Sequence, residues 1–488
     1  MPESKEESSS NETIAKTTQI SKVTSLVEKI ETTNLEETEY HVIRDEMNDA
    51  AAMIRDVIDN TVEIANKKQN LILLKLLIRL RIRKCQLLGK HEEWKQMIEE
   101  TEEIMTHLVE LNDEVDFDYR SNVEAKISGY KGVSLMKLYR IDEAIITLSR
   151  SYELRMNKAN SVALIDEPRE QDKKTFNQRE KRETIQVERA LLACCQMKGV
   201  DAPIPPLTKF SRTVHLFNTG GTAVTSDDLV MSKDDIIYNQ MADEKTTLYI
   251  EEKVDGANFG LSLSGDGKIF AQNRSHYISS GDHAQFSPLT TWIEEHREAL
   301  TNILSQEQGN RTASQGLILY GEWVVARHSI PYHKLPGHFI AFDIYDRKVQ
   351  RFWSRSRFHS IMKGSGIPVV PIIMQGTLAS FDNCSSKGNS STSFKKDLVD
   401  LLETRSSFRT DGGPVEGIVL RIDDDDKDEQ GRTWLKSRLK IVRPDFIRGC
   451  REGHWSRREI EKQTIDYEFS QSYLNECYKC ADESKIMQ

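Results

Sequence analysis

The stretch EKVDGANF at residues 252–259 decides how the second half of this chain is interpreted. It places a lysine two residues before an Asp-Gly pair, between segments rich in apolar residues. Asp255-Gly256 alone would also suit a tight hairpin turn, with Lys253 as a solvated flank. Four further segments, which follow in a fixed order, favour a catalytic interpretation.

Each downstream segment places charged residues inside an apolar strand pattern. YGE at 320–322 ends one strand, FIAFDIY at 339–345 carries an acid, and VEGIVLR at 415–421 carries another. WLKSRLK at 434–440 alternates basic with other residues, so its cations project from one face of a strand. A charge at a buried strand position is costly unless it is paired or binds a ligand. The set therefore predicts a charged site built from strands.

The five segments resemble nucleotidyltransferase motifs I, III, IIIa, IV and V of the covalent ligase and capping-enzyme superfamily. They are most similar to ATP-dependent RNA ligases of the phage RNA-ligase-2 type, over roughly residues 210–450. Asn258 followed by Phe259, and NRS at 273–275, favour RNA ligases within the superfamily. Only 48 residues follow Lys440, fewer than the C-terminal domain of such ligases often needs. We expect the helical half to take over its role.

The resemblance implies a role for each motif residue. Lys253 would be the nucleophile that carries AMP, with Lys436 and Lys440 as further catalytic residues. Glu416 and Asp343 would hold Mg²⁺ or Mn²⁺, which neutralises the triphosphate. The implied nucleotide-binding set is Glu252, Asp255, Gly256, Asn258, Arg274, Glu322, Phe342 and Arg438.

Within the nucleotide-binding set, Glu322 would accept hydrogen bonds from the ribose hydroxyls. Phe342 would stack on the adenine, although strand phase alone also allows Phe339. Asn258 and Arg274 would contact the adenylate and the 5′-phosphate end of the substrate strand.

The motif V cations also bear on the nucleophile. A lysine attacks only when neutral, and its reference pKa is about 10.4. We expect burial beside Lys436, Arg438 and Lys440 to depress the pKa of Lys253. The family usually has Lys-x-Lys here, whereas Lys436 and Arg438 hold that spacing and Lys440 follows. Which cations contact phosphate stays open.

The composition indicates an intracellular globular protein. Of 488 residues, 38% are hydrophobic and 30% are charged, with a net charge of −10. Seven cysteines do not make a disulfide scaffold, and we expect no metal site at the isolated Cys477-x-x-Cys480. No apolar run is long enough for a membrane span, and the first residues lack a signal-peptide core. We expect a cytoplasmic or nuclear location without a membrane partner.

The residue pattern divides the chain into five regions. Residues 1–20 are polar and predicted to be disordered. Residues 21–200 contain few Pro or Gly, and their apolar residues recur at helical spacing. This pattern predicts helical hairpins with breaks at 88–91 and 139–142. The remaining predicted regions are a Pro-rich linker at 201–206, an adenylyltransferase domain at 207–450 and a helical extension at 451–488.

The predicted fold class is α+β. An all-helical domain precedes an ATP-grasp-like adenylyltransferase domain of antiparallel sheets flanked by helices. Gly132 and Ala144, twelve residues apart, resemble one tetratricopeptide unit in which two helices touch, but no 34-residue period repeats it. An irregular helical domain and a repeat array both stay open.

Three charged segments have a functional and a plain interpretation. RFWSRSRF at 351–358 suits a nucleic-acid groove or an amphipathic helix with its Arg outside. The acids at 423–426 predict a solvated loop. The basic cluster at 79–84 fits a helix surface better than an RNA face or nuclear signal.

The predicted function is ATP-dependent joining of RNA 5′-phosphate and 3′-hydroxyl ends through lysyl-AMP. A DNA ligase and a GTP-dependent capping enzyme are the enzymatic alternatives, and both normally carry an OB-fold after motif V. From another class, the chain could be a helical interaction scaffold with an inactive ligase fold. The helical domain could also bind a protein partner.

Overall fold

The computed structural model divides the chain into two compact units, residues 1–161 with 174–200 and residues 201–488 with 162–173. The ranges that the structure describes are 21–22, 24–33, 40–59, 67–111, 117–163, 178–200, 202–220, 224, 228–232, 246–306, 315–377, 396–424, 426–445 and 460–483. The predicted disorder at 1–20 lies outside them, as do the side chains of Cys477 and Cys480.

The first unit is helical throughout its described residues. Its long helices are α1 (Tyr40–Asp59), α2 (Lys67–Lys90), α3 (Trp94–Glu110), α4 (Phe117–Lys137), α5 (Ile141–Ala163) and α6 (Gln178–Lys198). Both predicted breaks fall between helices. A Cβ added to Gly132 would lie 2.6 Å from the Leu148 side chain, so α4 and α5 touch at this small residue, and Ala144 is fully buried.

The basic cluster at 79–84 stabilises the packing of the first unit. Arg81 and Lys84 both form ion pairs with Glu100 of α3, and Arg79 forms one with Glu31. These cations are therefore engaged within the unit. No helix in the described part of the chain is long and apolar enough to cross a membrane.

The second unit contains two sheets, and its α+β class confirms the prediction. Sheet A has the order β1-β11-β10-β2-β9 and sheet B the order β5-β4-β3-β6-β7-β8. All pairs are antiparallel except β1 with β11. The strands are β1 (Val214–His215), β2 (Thr247–Glu252), β3 (Ala257–Leu263), β4 (Ile269–Gln272), β5 (Tyr277–Ile278), β6 (Leu317–Trp323), β7 (Phe339–Asp346), β8 (Arg351–Phe352), β9 (Ile372–Thr377), β10 (Gly417–Asp423) and β11 (Leu435–Val442).

Sheet B separates two apolar clusters. The first contains Phe259, Trp323 and Phe339, with helices α7 (Leu289–Glu295) and α8 (Arg297–Leu304) packed over it. The second contains Tyr320 and Phe342 with side chains from the last helix, α10 (Tyr467–Glu483). Alternate residues of one strand thus face opposite clusters, as the pleat requires.

Two predicted segments differ from expectation. RFWSRSRF forms β8 and the start of helix α9 (Arg355–Met362), so only its second half is helical, and Arg355 is fully buried instead of exposed. Asp423 ends strand β10 and accepts the Arg355 backbone N–H at 2.8 Å, so it is not part of a solvated loop. Arg355 is buried because its guanidinium pairs with Glu251 and Asp343, in an ion-pair network described below.

The segment after residue 201 packs on sheet B. The Tyr320 hydroxyl and the Gln272 side-chain amide each donate to the Thr208 carbonyl at 2.6 Å. Tyr277 donates to the Pro205 carbonyl, and Ile204 is buried. Residues 202–208 therefore run along the sheet instead of standing apart from it.

Candidate active site

Lys253 lies where the two sheets meet. It follows β2 of sheet A directly and begins the crossover to β3 of sheet B. Because β2 and β10 are antiparallel, the end of β2 meets the start of β10, and the Lys253 N–H donates to the Gly417 carbonyl at 2.9 Å. The same register brings Lys253 Nζ to 2.7 Å from Glu416 Oε1.

The Asp-Gly pair forms this crossover and not a hairpin. The Asp255 carboxylate accepts the backbone N–H groups of Ser329 at 2.7 Å and Ile330 at 2.9 Å. The Asp255 N–H donates to the Tyr332 hydroxyl at 2.8 Å. A Cβ on Gly256 would lie 2.8 Å from the Trp323 carbonyl, so only glycine allows the close approach.

Glu322 faces the same point from β6 of sheet B. Its Oε2 atom is buried and has no hydrogen-bond partner among the described residues. Burial raises the pKa of Glu322 to about 8, although nearby Lys253 and Arg274 act in the opposite direction. A buried carboxyl oxygen without a partner is expected to accept a donor from a ligand.

Glu252 is a second carboxyl with a raised pKa. Burial raises the pKa of Glu252 to about 7, against hydrogen bonds from the Ser406 hydroxyl and the Ser407 N–H. Both oxygens thus hold the loop that leads into β10. Glu252 lines the cavity, as do Asp255, Gly256 and Asn258 of the same motif.

The prediction that motif V cations depress the pKa of Lys253 is wrong. Burial lowers this pKa, but the carboxylates of Glu416, Glu322 and Asp255 outweigh burial, so the pKa of Lys253 is raised above its ordinary value. The amine is therefore an ammonium group paired with Glu416.

The motif V cations separate into different environments. Arg438 and Lys440 line the cavity, whereas Lys436 is exposed near the start of β11 and is not part of the lining. The cavity-lining pair is thus Arg438-x-Lys440, and the catalytic role of Lys436 stays a prediction. Lys440 Nζ lies 3.2 Å from Asp228 Oδ1.

Asp343 belongs to a buried ion-pair network. Its Oδ1 lies 2.6 Å from Arg421 and its Oδ2 lies 2.7 Å from Arg438, while Arg355 approaches within 3.6 Å. Glu251 pairs with Arg421 and Arg355. Burial favours the neutral acid, but the three arginines outweigh it and lower the pKa of Asp343. Both Asp343 oxygens pair with arginines, and the role of Asp343 as a metal ligand stays a prediction.

A cavity of about 970 Å³ joins these groups. Phe342, Arg274 and Glu416 line it, as do Val254 and Val370. Phe339 is fully buried in the opposite cluster, which excludes it as a stacking ring. The volume is within the range of small-molecule sites. Charged and polar side chains form most of the lining, and together with the Phe342 ring they suit a nucleotide.

The structure adds residues that the sequence did not indicate. The Arg438 guanidinium lies 4.0 Å from the Phe210 ring centroid and donates to Thr213 Oγ1 at 3.0 Å. Phe210, Thr213 and Asp228 line the cavity from a segment upstream of the first motif. Of the residues that were not predicted, only Arg421, the partner of Asp343, stands out in the sequence, because it is a charge inside the apolar pattern VEGIVLR.

The site fits a divalent cation only together with a ligand. The described residues contain no group of three or more His, Cys, Asp or Glu that could hold a metal ion. Glu416 and Glu322 offer two carboxylates near Lys253. Mg²⁺ is commonly held by one or two carboxylates, with substrate phosphates and water completing its shell.

Comparisons with known proteins agree with this geometry. Residues 246–438 match the model of the RNA ligase family. This region is therefore similar to the RNA ligase family, and it makes up less than half of the chain. The resemblance drawn from the motifs is thereby confirmed, and we refer to the region as the RNA ligase domain. Phe210, Asp228 and Lys440 lie outside the matched residues but line its cavity.

Solved structures of a Naegleria gruberi RNA ligase are also similar to this chain. A variant with ATP and Mn has a TM-score of 0.30 at 16% identity, and one with AMP and Mn has 0.30 at 17%. The protein with PPi has 0.28 at 18%. Each comparison covers 51% of this chain and 64% of the other, so the chain spans less than two thirds of those proteins. The comparison with curated proteins finds no match.

Proposed function

We propose that this protein joins RNA ends with ATP through a covalent AMP adduct on Lys253. The observation that carries the proposal is the meeting of Lys253, Glu416 and Glu322 in one cavity of the RNA ligase domain. Lys253 Nζ attacks the α-phosphorus of ATP and forms a P–N bond. The bond to the bridging oxygen breaks, and pyrophosphate leaves with its electron pair.

The later steps pass AMP to the RNA. An oxygen of a 5′-phosphate end attacks the phosphorus of the lysyl-AMP and forms a P–O bond. The P–N bond breaks, and the leaving nitrogen takes up a proton from solvent, so Lys253 is released as the neutral amine. A 3′-hydroxyl then attacks that 5′-phosphorus, loses its proton, and displaces AMP to seal the strand. Asn258 and Arg274 line the cavity beside Glu322, and we assign them to the adenylate and the 5′-phosphate.

We assign each part of the nucleotide to different residues of the cavity. We assign the adenine to Phe342, and the ribose hydroxyls to Glu322 because its Oε2 has no other donor among the described residues. Arg438 and Lys440 are assigned to the phosphates, where fixed cations stabilise charge that develops during the transfer. Asp343 is assigned to the positioning of Arg438, 2.7 Å away.

Lys253 must lose a proton before it attacks. Its ammonium is held by Glu416 at 2.7 Å, which favours the unreactive charged form. A Mg²⁺ or Mn²⁺ ion at Glu416 would neutralise triphosphate charge and, by competing for that carboxylate, favour the neutral amine. The fit of two carboxylates near Lys253 supports this cation site.

The domain organisation is also proposed. We propose that residues 207–450 with the C-terminal segment carry the chemistry, and that the helical unit binds RNA or a protein partner. A chain starting at Pro203 keeps the segment that contacts Arg438 and should form the adduct. Poor strand joining by this shortened chain, at equal salt, would assign RNA binding to the helical unit. Equal joining would assign it to a partner.

The test is covalent labelling. Full-length protein with α-labelled ATP and Mg²⁺ should keep the label through denaturing electrophoresis, and Lys253→Ala should keep none. Labelling of the Lys253→Ala chain at wild-type level would refute the assignment of the nucleophile. Label from GTP in preference to ATP would identify a capping enzyme, whereas joining of nicked DNA but not RNA would identify a DNA ligase. A folded wild-type chain that takes no label from either nucleotide would favour the scaffold alternative.

A further inference from the structure

The C-terminal segment at 460–466 lies outside the residues that the family model matches. It contacts the loop at 326–335, which holds the Asp255-Gly256 turn next to Lys253. Arg327 donates its N–H to the Glu461 carbonyl at 2.9 Å, and Leu335 donates to Thr464 at 3.1 Å. Isolated bridges join Ala326 with Lys462 and Leu335 with Ile465. The loop at 326–335 is therefore fixed at both ends by this segment.

Gln463 lies at the centre of these contacts. Its side-chain Oε1 accepts the Tyr332 N–H at 2.6 Å, and its Nε2 donates to the Val324 carbonyl at 3.2 Å. Its backbone N–H donates to the Val325 carbonyl at 2.9 Å. One side chain thus joins the end of β6, which carries Glu322, to the loop that carries Tyr332.

The loop in turn fixes Asp255. Ser329 and Ile330 give their N–H groups to the Asp255 carboxylate, and the Tyr332 hydroxyl accepts the Asp255 N–H at 2.8 Å. Tyr332 is almost fully buried. Because Asp255 is two residues from Lys253, a change in its backbone direction would move the amine relative to the ATP α-phosphorus.

We infer that Tyr332 and Gln463 are positioning residues for adenylylation of Lys253, acting through the Asp255 turn. The inference rests on the proposed function. Misplacement of a reacting group by about 1 Å can cost a hundredfold in rate. Tyr332 and Gln463 should therefore affect the rate of adduct formation more than the binding of ATP.

The first experiment compares Tyr332→Phe with Tyr473→Phe in the full-length chain. Both remove one buried hydroxyl, and Tyr473 donates to the Val369 carbonyl at 2.7 Å, away from Asp255. Single-turnover labelling over a range of ATP concentrations separates the saturated rate from the half-saturating concentration. We expect Tyr332→Phe and Gln463→Leu to lower the saturated rate about tenfold or more. The half-saturating ATP concentration and the final adduct per chain should stay within about twofold of wild type, as should every parameter of Tyr473→Phe.

A purely structural role predicts a different result. The melting temperature and the final adduct per chain would then fall together, with an unchanged rate constant for the chains that remain folded. That outcome would overturn the inference, as would wild-type rates in both variants.

Amide hydrogen exchange gives a readout that does not depend on activity. In Tyr332→Phe, exchange at Asp255, Ser329 and Ile330 should accelerate, while exchange in β10 should match wild type. Unchanged exchange at Asp255 would overturn the inference even if labelling fails. Absence of adduct in the wild-type chain, with faster exchange in the variant, would refute the proposed function and leave the positioning contact established.

Discussion

Two groups of carboxylates, one formed by Asp343 and Glu251 and the other by Glu322 and Glu416, differ in their partners. Asp343 and Glu251 each pair with two or more arginines. Glu416 pairs with Lys253, whereas Glu322 feels the charge of Lys253 without an ion pair and keeps a buried oxygen that has no hydrogen-bond partner among the described residues. Burial alone would raise the pKa of any of these acids. The difference teaches that pairing, not burial, separates a structural carboxylate from one available to a ligand.

The arginine-paired group joins the two sheets. Glu251 lies in β2 and Arg421 in β10 of sheet A, whereas Asp343 lies in β7 of sheet B. The network holds two carboxylates and three arginines, so each carboxylate has at least two partners of opposite charge. Replacing one partner of a buried pair leaves the other uncompensated, which typically costs about 3–5 kcal/mol.

The largest expected effect is therefore on stability, from Asp343→Asn. Three arginines would lose their shared carboxylate, and we expect the free energy of unfolding to fall by about 3–5 kcal/mol. Urea unfolding of the full-length chain measures it. Unchanged stability together with lost adduct formation would place Asp343 among the ligand-binding carboxylates, as the sequence predicted.

The second effect is on activity, from Glu416→Gln. The variant removes the partner of Lys253 and the proposed cation ligand, so we expect labelling to slow about a hundredfold, or by about 3 kcal/mol in activation free energy. The loss in free energy of unfolding should be smaller than that of Asp343→Asn, because the Lys253 side chain is 24% exposed and Glu416 has one charged partner instead of three. Glu403→Gln, exposed and just upstream in the chain, is the matched control. A large loss of stability in Glu416→Gln would assign this carboxylate to the structural group.

The sequence predicted which strands carry charge but not what each charge contacts. FIAFDIY and VEGIVLR present the same pattern, an acid within an apolar strand, yet Asp343 pairs with arginines and Glu416 pairs with Lys253. The partners come from β2, β10, β11 and α9, which are far apart in the sequence. Glu251 and its partner Arg421, for example, are separated by 170 residues. A period-2 pattern fixes the face of a side chain, not the register of neighbouring strands.

The fold was predicted where strands are long. The segments YGE, FIAFDIY, VEGIVLR and WLKSRLK were predicted as strands and lie in β6, β7, β10 and β11, whereas the two-residue strands β1, β5 and β8 and the edge strand β9 were not predicted. Short strands carry too few residues for a period to appear. Phe210 and Asp228 were missed for a related reason, because the segment that carries them has no regular pattern.

The third expected effect, on the rate of labelling, distinguishes Lys440 from Lys436 in β11. Lys440 lines the cavity and Lys436 does not. A charge-assisted hydrogen bond contributes about 1.5 kcal/mol or more, so Lys440→Ala should slow labelling about tenfold. Lys436→Ala, the matched control on the same face of the strand, should stay within about twofold of wild type. The opposite order of the two variants would restore Lys436 as the motif V cation.

The smallest effect concerns stability against pH and comes from Glu322→Gln. Burial raises the pKa of Glu322 to about 8, above its unfolded value near 4.5. Between these values the folded chain binds more protons than the unfolded chain, so the stability of wild type falls as pH rises through this window. Glutamine cannot ionise, so its contribution to the free energy of unfolding does not change with pH. Below about pH 4 the two chains should have similar stability, and by pH 8 the variant should be more stable by about 1 kcal/mol or more.

Urea unfolding at pH 5, 6, 7 and 8, with Glu403→Gln as the control for an exposed acid, measures the difference. Parallel curves for wild type and Glu322→Gln would mean that Glu322 is ionised throughout, and that Lys253 compensates it as fully as the arginines compensate Asp343.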